Sequence, residues 1–143
     1  MMISVTRLRL RSWTYLPEFM WHTWRSVRQL RRAPGFLVGK TALEARLTFW
    51  TLTKWETEKA MREFRGSGAH AQAMPRLAKW CDEASVAHWA EEMEGLPSWQ
   101  QASARLAAGG RPSRVEHPSA DHLKGKFAEP RIGRSERRFT PQR

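Results

Sequence analysis

Cysteine is nearly absent: Cys81 is the only one in 143 residues, which excludes an intramolecular disulfide and a cysteine-rich zinc site and fits a reducing compartment. Long apolar runs are missing too, and no stretch approaches the roughly 20 residues a helix needs to span a bilayer. The first residues alternate arginine with apolar side chains instead of forming a continuous apolar segment, so no secretory signal is read and a cytoplasmic location is expected. There is no P-loop, no G-x-G-x-x-G, no H-E-x-x-H and no G-x-S-x-G, which removes the nucleotide, zinc-protease and serine-hydrolase signatures as guides to chemistry. Acidic charge is scarce: 14 Asp and Glu face 25 Lys and Arg, for a formal net charge of +11.

The basic excess sits at the two ends. Residues 1–32 carry seven arginines against Glu18 alone, residues 33–109 carry nine basic and nine acidic side chains, and residues 110–143 carry nine against four. Such terminal charge attracts nucleic acid or an anionic membrane surface, although on small domains it is most often simply solvated. Hydrophobic residues at 41% and charged residues at 27% give an ordinary globular balance, and a chain of this length builds one core. The expected organisation is a folded domain over residues 1–109. A basic, proline-containing arm or tail follows over 110–143, its last part disordered and residues 131–143 dispensable for folding.

Residues 3–11 alternate, with Ile3, Val5, Arg7, Arg9 and Arg11 opposite Ser4, Thr6, Leu8 and Leu10, which predicts a strand. Pro17 suits the first turn of a helix, and Met20, Trp24, Val27 and Leu30 recur at helical spacing up to Arg32, flanked by Arg25, Arg28 and Arg32. Residues 36–43 and 46–55 are β-rich runs joined at Glu44-Ala45, a hairpin without Asn-Gly or Asp-Gly. In the second run Leu47, Phe49, Thr51, Thr53 and Trp55 share one face, and Thr48, Trp50, Leu52 and Lys54 the other. Both faces therefore need cover.

Residues 56–65 predict a short helix closed by Gly66, with Ala60, Met61 and Phe64 inward. A second helix follows with His70, Met74, Leu77 and Cys81 on its inward stripe, kinked near Ala71 by Pro75. Residues 85–91 alternate as a fourth strand, and Ser98 with Gln101 forms a capping box for a last helix ending at Gly109-Gly110. The order β-α-β-β-α-β is the ferredoxin-like α+β plan, with the second helical segment broken in two. Its four-stranded antiparallel sheet has one face under helices and the other open. An open apolar face is ordinarily an interface, so a homodimer is expected.

His70 is the leading candidate for chemistry: an imidazole on the inward stripe near the carbonyl that Pro75 frees acts as a ligand or a base, unless it is a hydrogen-bonded core histidine. His88, on the fourth strand, is a weaker candidate, and no spacing of His and Cys makes a metal set. Eight tryptophans are many for a core of this size. Trp50, Trp55 and Trp89, on strands beside the broken helix, are the expected walls of a pocket, and Arg28 the expected anchor for an anionic group.

The run Phe49-Trp50-Thr51-Leu52-Thr53-Lys54-Trp55, followed by residues 60–64 and by Gly68-Ala69-His70-Ala71-Gln72-Ala73-Met74, resembles the antibiotic-biosynthesis-monooxygenase-like group of dimeric α+β-barrel proteins. Within it, the likeness is to small bacterial proteins known only as a domain of unknown function, and it covers about residues 1–93. The resemblance implies a ferredoxin-like protomer, a dimer through the open sheet face and a ligand pocket between sheet and helices. Members include cofactor-independent oxygenases and haem-degrading enzymes, so the cofactor is expected to be none or haem. Where the haem-degrading branch has tryptophan and histidine after the third strand, this chain has Phe64 and Met74, and that activity is not carried over. The resulting expectation is an oxygenase-like enzyme or ligand-binding protein for a hydrophobic small molecule. Its rival is a noncatalytic binding module contacting nucleic acid through the basic terminal segments.

Overall fold

The computed structural model describes residues 1–127 and 129–142. Its elements run β1 (Met2–Leu10), α1 (Leu16–Arg32), β2 (Phe36–Glu44), β3 (Thr48–Trp55), α2 (Glu58–Arg65), α3 (Gly68–Trp80), β4 (Cys81–Ala90), α4 (Trp99–Gly109), β5 (Arg111–Pro112), α5 (Ala120–Leu123) and β6 (Arg137–Phe139). The antiparallel sheet has the order β5-β4-β1-β3-β2-β6. Its four inner strands are the ferredoxin-like set predicted from the alternating runs. The two-residue and three-residue outer strands come from the C-terminal arm.

Local chemistry accounts for most boundaries. Pro17 stands in the first turn of α1, where no intrahelical N–H is needed. Gly35, at φ +84°, turns the chain into β2, and its carbonyl accepts from the Glu56 N–H at 2.8 Å. Thr57 caps α2, and Ser98 and Gln101 form the reciprocal capping box of α4. The β2–β3 hairpin closes through residues 45–47, because Glu44 pairs with Thr48. Arg46 and Leu47 both take positive φ there, so β3 starts two residues later than its sequence pattern suggests.

Three readings of periodicity are corrected. The inward stripe of α1 is Phe19, His22 and Leu30, whereas Met20 and Trp24 face outward at 48% and 51% exposure. In α3 the buried residues are Ala73 and Trp80, and the helix runs through Pro75 without the predicted interruption near Ala71; the break between the two helices lies at Gly66-Ser67, where the sequence closes the first of them. Cys81 is the first residue of β4 and not the end of a helical stripe, since residues 81–84 pair with the end of β1 across a bulge at Arg9/Leu10. Sheet pairing overrides helical spacing there.

Helices α1, α2 and α3 cover one face of the sheet, hereafter the helix side, over two apolar clusters. Leu10, Phe19, Trp80, Cys81 and Ala84 form one, and Leu30, Phe36, Trp55, Met61 and Phe64 the other. The opposite face is not left open for a second copy, as the sequence pattern suggested. Trp99, Ala102 and Leu106 of α4, with Phe127 and Ile132 of the arm, pack there on Ile3, Val5, Ala42, Trp50, Leu52 and Ala87. From β5 the arm hydrogen-bonds along β4 (Ser113 N–H to Ala84 O, 2.8 Å; Ser119 N–H to Asp82 O, 3.0 Å), crosses this face and ends as β6 against β2. Gly39 sits opposite Phe139 in that last pairing, and a Cβ on it would lie 2.5 Å from the Phe139 ring. Residues 137–139, expected in a disordered tail, thus form an edge strand, because Phe139 finds a place on Gly39 and beside Phe36 (5.9 Å).

Candidate functional site

Residues opposite one another in the sheet share a face, so the register reads out rows across the four inner strands. On the helix side one row is Gly39, Thr53, Ser4 and His88, and the next is Thr41, Thr51, Thr6 and Val86. A sheet face under helices is ordinarily apolar. Here five hydroxyls and an imidazole form a belt that separates the two apolar clusters. Thr6, Thr41, Thr51, Val86 and His88 are half-buried, so solvent reaches the belt as far as the two innermost strands. Thr53 Oγ1 accepts from Trp55 Nε1 at 3.0 Å. Among the described residues the hydroxyls of Ser4, Thr6, Thr41 and Thr51 have no side-chain hydrogen bond, and all remain available to a guest.

At the α2–α3 end of this side, His70 is held by three contacts. Its backbone N–H donates to Gln29 Oε1 at 2.9 Å, its Nδ1 lies 3.2 Å from the Arg65 carbonyl, and its ring sits 4.8 Å from that of Phe64. Burial, with a smaller push from the Arg65 charge, holds the imidazole below the usual histidine range despite the Arg65 carbonyl. In the neutral form Nδ1–H donates to that carbonyl, which leaves Nε2 as the acceptor. Phe64 in turn lies 5.3 Å from Trp55. His70 and Trp55 are therefore joined through one ring, and His88 lies on the adjoining belt.

The other predicted site residues are elsewhere. Trp50 and Trp55, five positions apart on one strand, must face opposite sides of the sheet. Trp50 is fully buried against Trp99 and Phe127, its Nε1 donating to Glu44 Oε1 at 2.9 Å. Trp89 also lies on the arm side, in a shallow groove with Met93, Pro97, Gln101 and Arg105, whose guanidinium is 5.3 Å from its ring. Arg28 is exposed on the outer face of α1, 5.0 Å from the Trp24 ring. No single pocket gathers the three strand tryptophans. The belt was legible in the alternation of residues 3–11 and 46–55, since Ser4, Thr6, Thr51 and Thr53 fall on common faces there; a search for histidines and tryptophans passed over it.

The arm side is the more heavily charged. Arg7 and Glu83, 4% and 3% exposed, pair at 2.7 Å, and Arg9 bridges Asp82 at 2.8 Å and Glu83 at 3.0 Å. Hydrogen bonding to Asp82 raises the Arg9 pKa. The buried Lys40 ammonium sits 3.4 Å from Glu136 and 4.6 Å from the Trp99 ring, and the buried Lys54 donates to the Met93 and Gly95 carbonyls. These ions find their charge or carbonyl partners within the chain, with only the Arg7 Nε left unpartnered, so they act as fastenings for α4 and the arm. Burial pushes the Cys81 thiol up to about 12, which keeps it protonated and unreactive. Among the described residues no three His, Cys, Asp or Glu side chains converge to hold a metal ion.

No protein-family model matches the chain, and no curated protein matches it in sequence. Solved structures do match in fold. A putative antibiotic biosynthesis monooxygenase from Nitrosomonas europaea aligns with a TM-score of 0.55 and 14% identity, over 65% of this chain and 100% of its own. A cofactor-independent oxygenase from Streptomyces nogalater aligns at 0.54 and 15%, over 64% of this chain and 93% of its own. A Mycobacterium tuberculosis protein aligns at 0.59 and 14%, over 65% and 96%. Each neighbour is spent within about two thirds of this chain, and identities this low speak for fold alone. The chain has the ferredoxin-like α+β fold of the antibiotic-biosynthesis-monooxygenase-like proteins.

Proposed function

We propose that a cleft between the helix layer and the hydroxyl belt binds a hydrophobic small molecule carrying oxygen substituents, and that the chain acts there as an oxygenase-like enzyme or ligand-binding protein. The observation that carries this reading is the belt itself: Ser4, Thr6, Thr41, Thr51 and Thr53 lie in register beneath helices, with an apolar cluster at either end. Only the Thr53 hydroxyl of the five has a side-chain partner among the described residues, so the others can hydrogen-bond to a guest whose rings meet the clusters. His88 extends the belt, Trp55 supplies an aromatic wall, and His70 is the base, its Nε2 lone pair left free by the bond to Arg65. A base of this kind removes a phenolic or enolic proton, the step that readies such a molecule for oxygen. That a neighbour of the same fold is a cofactor-independent oxygenase supports an oxygenase-like reading that needs no cofactor.

Two cofactor alternatives accompany the proposal, none or haem. The described side chains fit haem poorly, because Phe64 fills the space between Trp55 and His70 that a macrocycle would need. Trp50, Trp89 and Arg28 stand outside the proposed cleft.

The test is titration with a panel of polycyclic phenols and quinones, followed by tryptophan emission. Thr6→Val and Thr51→Val keep shape and remove the hydroxyl. Each is expected to weaken binding by roughly 2–12-fold, as for loss of one hydrogen bond, with an unchanged melting temperature. Equal binding by a Thr6→Val/Thr51→Val double variant would overturn the assignment of the cleft.

A further inference from the structure

The outward face of α1 takes no part in the cleft. Met20, Trp21 and Trp24 are 48%, 57% and 51% exposed on it, and Trp13, in the short turn Trp13–Tyr15 before the helix, is 74% exposed. Trp21 and Trp24 stack with centroids 5.5 Å apart, and Arg28 lies over Trp24. At about 100° of rotation per residue, Arg25, Arg28, Arg31 and Arg32 fall on the same arc, toward the C-terminal half of the helix. Glu18, the one acidic residue of α1, is bound to Arg76 at 2.7 Å. Among the described residues Arg25, Arg28 and Arg32 have no ion-pair partner. The indole N–H groups of Trp50, Trp55, Trp89 and Trp99 all donate to oxygens. Those of Trp13, Trp21 and Trp24 have no partner among the described residues.

We propose that this face docks the protein on an anionic lipid bilayer. Exposed tryptophans and a methionine beside unpaired arginines match the headgroup boundary of a membrane: the indoles bury their rings at acyl depth and offer their N–H groups to headgroup oxygens, while guanidinium groups meet lipid phosphates. No helix among the described residues is long and apolar enough to cross a membrane, so the contact is peripheral. Single-stranded nucleic acid fits less well. Base stacking needs a free ring face, and here Trp21 and Trp24 stack on each other while Arg28 occupies a face of Trp24. Met20 has no role in stacking bases. The charge complementarity is all of one sign, because the single carboxylate on the helix is already neutralised.

The experiment is co-sedimentation of the full chain with vesicles of phosphatidylcholine alone and with about 30% phosphatidylglycerol, at low and high salt. Binding is expected only to the anionic vesicles, with a salt-sensitive affinity. Replacing Arg28 and Arg32 by Gln should weaken it by about fivefold each. Trp21→Ala/Trp24→Ala should weaken it by roughly tenfold while the melting temperature holds, since both rings are more than half exposed. Should that variant fail to fold, quenching of wild-type tryptophan emission by brominated lipid gives the same answer without it. Absence of binding to anionic vesicles at low salt overturns the proposal. So does binding indifferent to the two tryptophans, and so does tight binding of a single-stranded oligonucleotide that requires them while vesicles are ignored.

Discussion

Removing the Glu83 carboxylate is expected to be the most damaging single change in the molecule. Glu83 Oε1 accepts from Arg7 Nη1 at 2.7 Å, and Oε2 accepts from Ser119 Oγ at 2.7 Å and pairs with Arg9 at 3.0 Å. Arg9 keeps its two bonds to Asp82 when Glu83 is gone. Arg7 keeps nothing of like charge compensation: it is 4% exposed, its Nε has no partner, and the rings of Trp50 and Phe127 close over it at 5.9 and 5.1 Å. Stripping one partner from a buried pair costs about 3–5 kcal/mol, and losing the Ser119 bond adds about 1 kcal/mol. Glu83→Ala therefore removes about 4–6 kcal/mol, a large share of the 5–15 kcal/mol typical of whole domains. Taking both charges away is another matter. Arg7→Met/Glu83→Leu leaves no stranded ion and is expected within about 1 kcal/mol of wild type. Urea unfolding of Arg7→Met, Glu83→Leu and the double, followed by tryptophan emission, completes the cycle. A loss below about 1 kcal/mol in Glu83→Ala, or a double variant as unstable as the two singles added together, would refute the reasoning.

Truncation after Pro130 removes β6 together with the Glu136 carboxylate that accepts from Trp99 Nε1 and pairs with Lys40, so it is expected to cost about 2–4 kcal/mol, read as a lowered urea midpoint; equal stability would restore the view of these residues as a dispensable tail. The same truncation should increase self-association on sedimentation relative to the full-length chain, because α4 and the arm cover the sheet face that a second copy would use. Acid should also weaken the fold. Burial lowers the pKa of both His70 and His22 from 6.5, so the unfolded chain takes up protons first, and stability, full above about pH 7, falls as pH drops through 6.5 toward the folded values, at no more than about 1.4 kcal/mol per pH unit for each histidine. His22→Gln/His70→Gln should flatten that slope; an unchanged slope would place the titration elsewhere.

The four inner strands and α2 were legible because their signals are local: period-two alternation in residues 3–11 and 46–55, and Gly66 at a helix end. The orientation of α1 was not. Met20, Trp24, Val27 and Leu30 have the spacing of a buried stripe, but Phe19, His22 and Leu30 have it as well, and only the sheet beneath decides between them. The start of β4 was lost for a related reason, since Cys81 fits both a helical stripe and a bulged strand. The arm was invisible to periodicity because each of its anchors is a single residue meeting a distant one. Ser119 on Glu83, Glu136 on Trp99 and Phe139 on Gly39 leave no repeat along the chain. The site fared similarly: its hydroxyls were in view, but their meaning depended on which face the helices would cover.

The arm also imposes an order on how the molecule comes into being. Everything that covers the second sheet face lies C-terminal to β4, so during synthesis the first four strands can pair while that face is still bare. At about 5–20 residues per second, translation leaves several seconds in which Lys40, Lys54 and Trp50 meet water and other chains instead of their later partners. In that interval the nascent sheet has two naked edges, open to strand exchange with a neighbour on the same message. Only when Arg137–Phe139 have emerged and β6 has seated on β2 are both of these edges covered, over a few residues each, by the molecule's own chain.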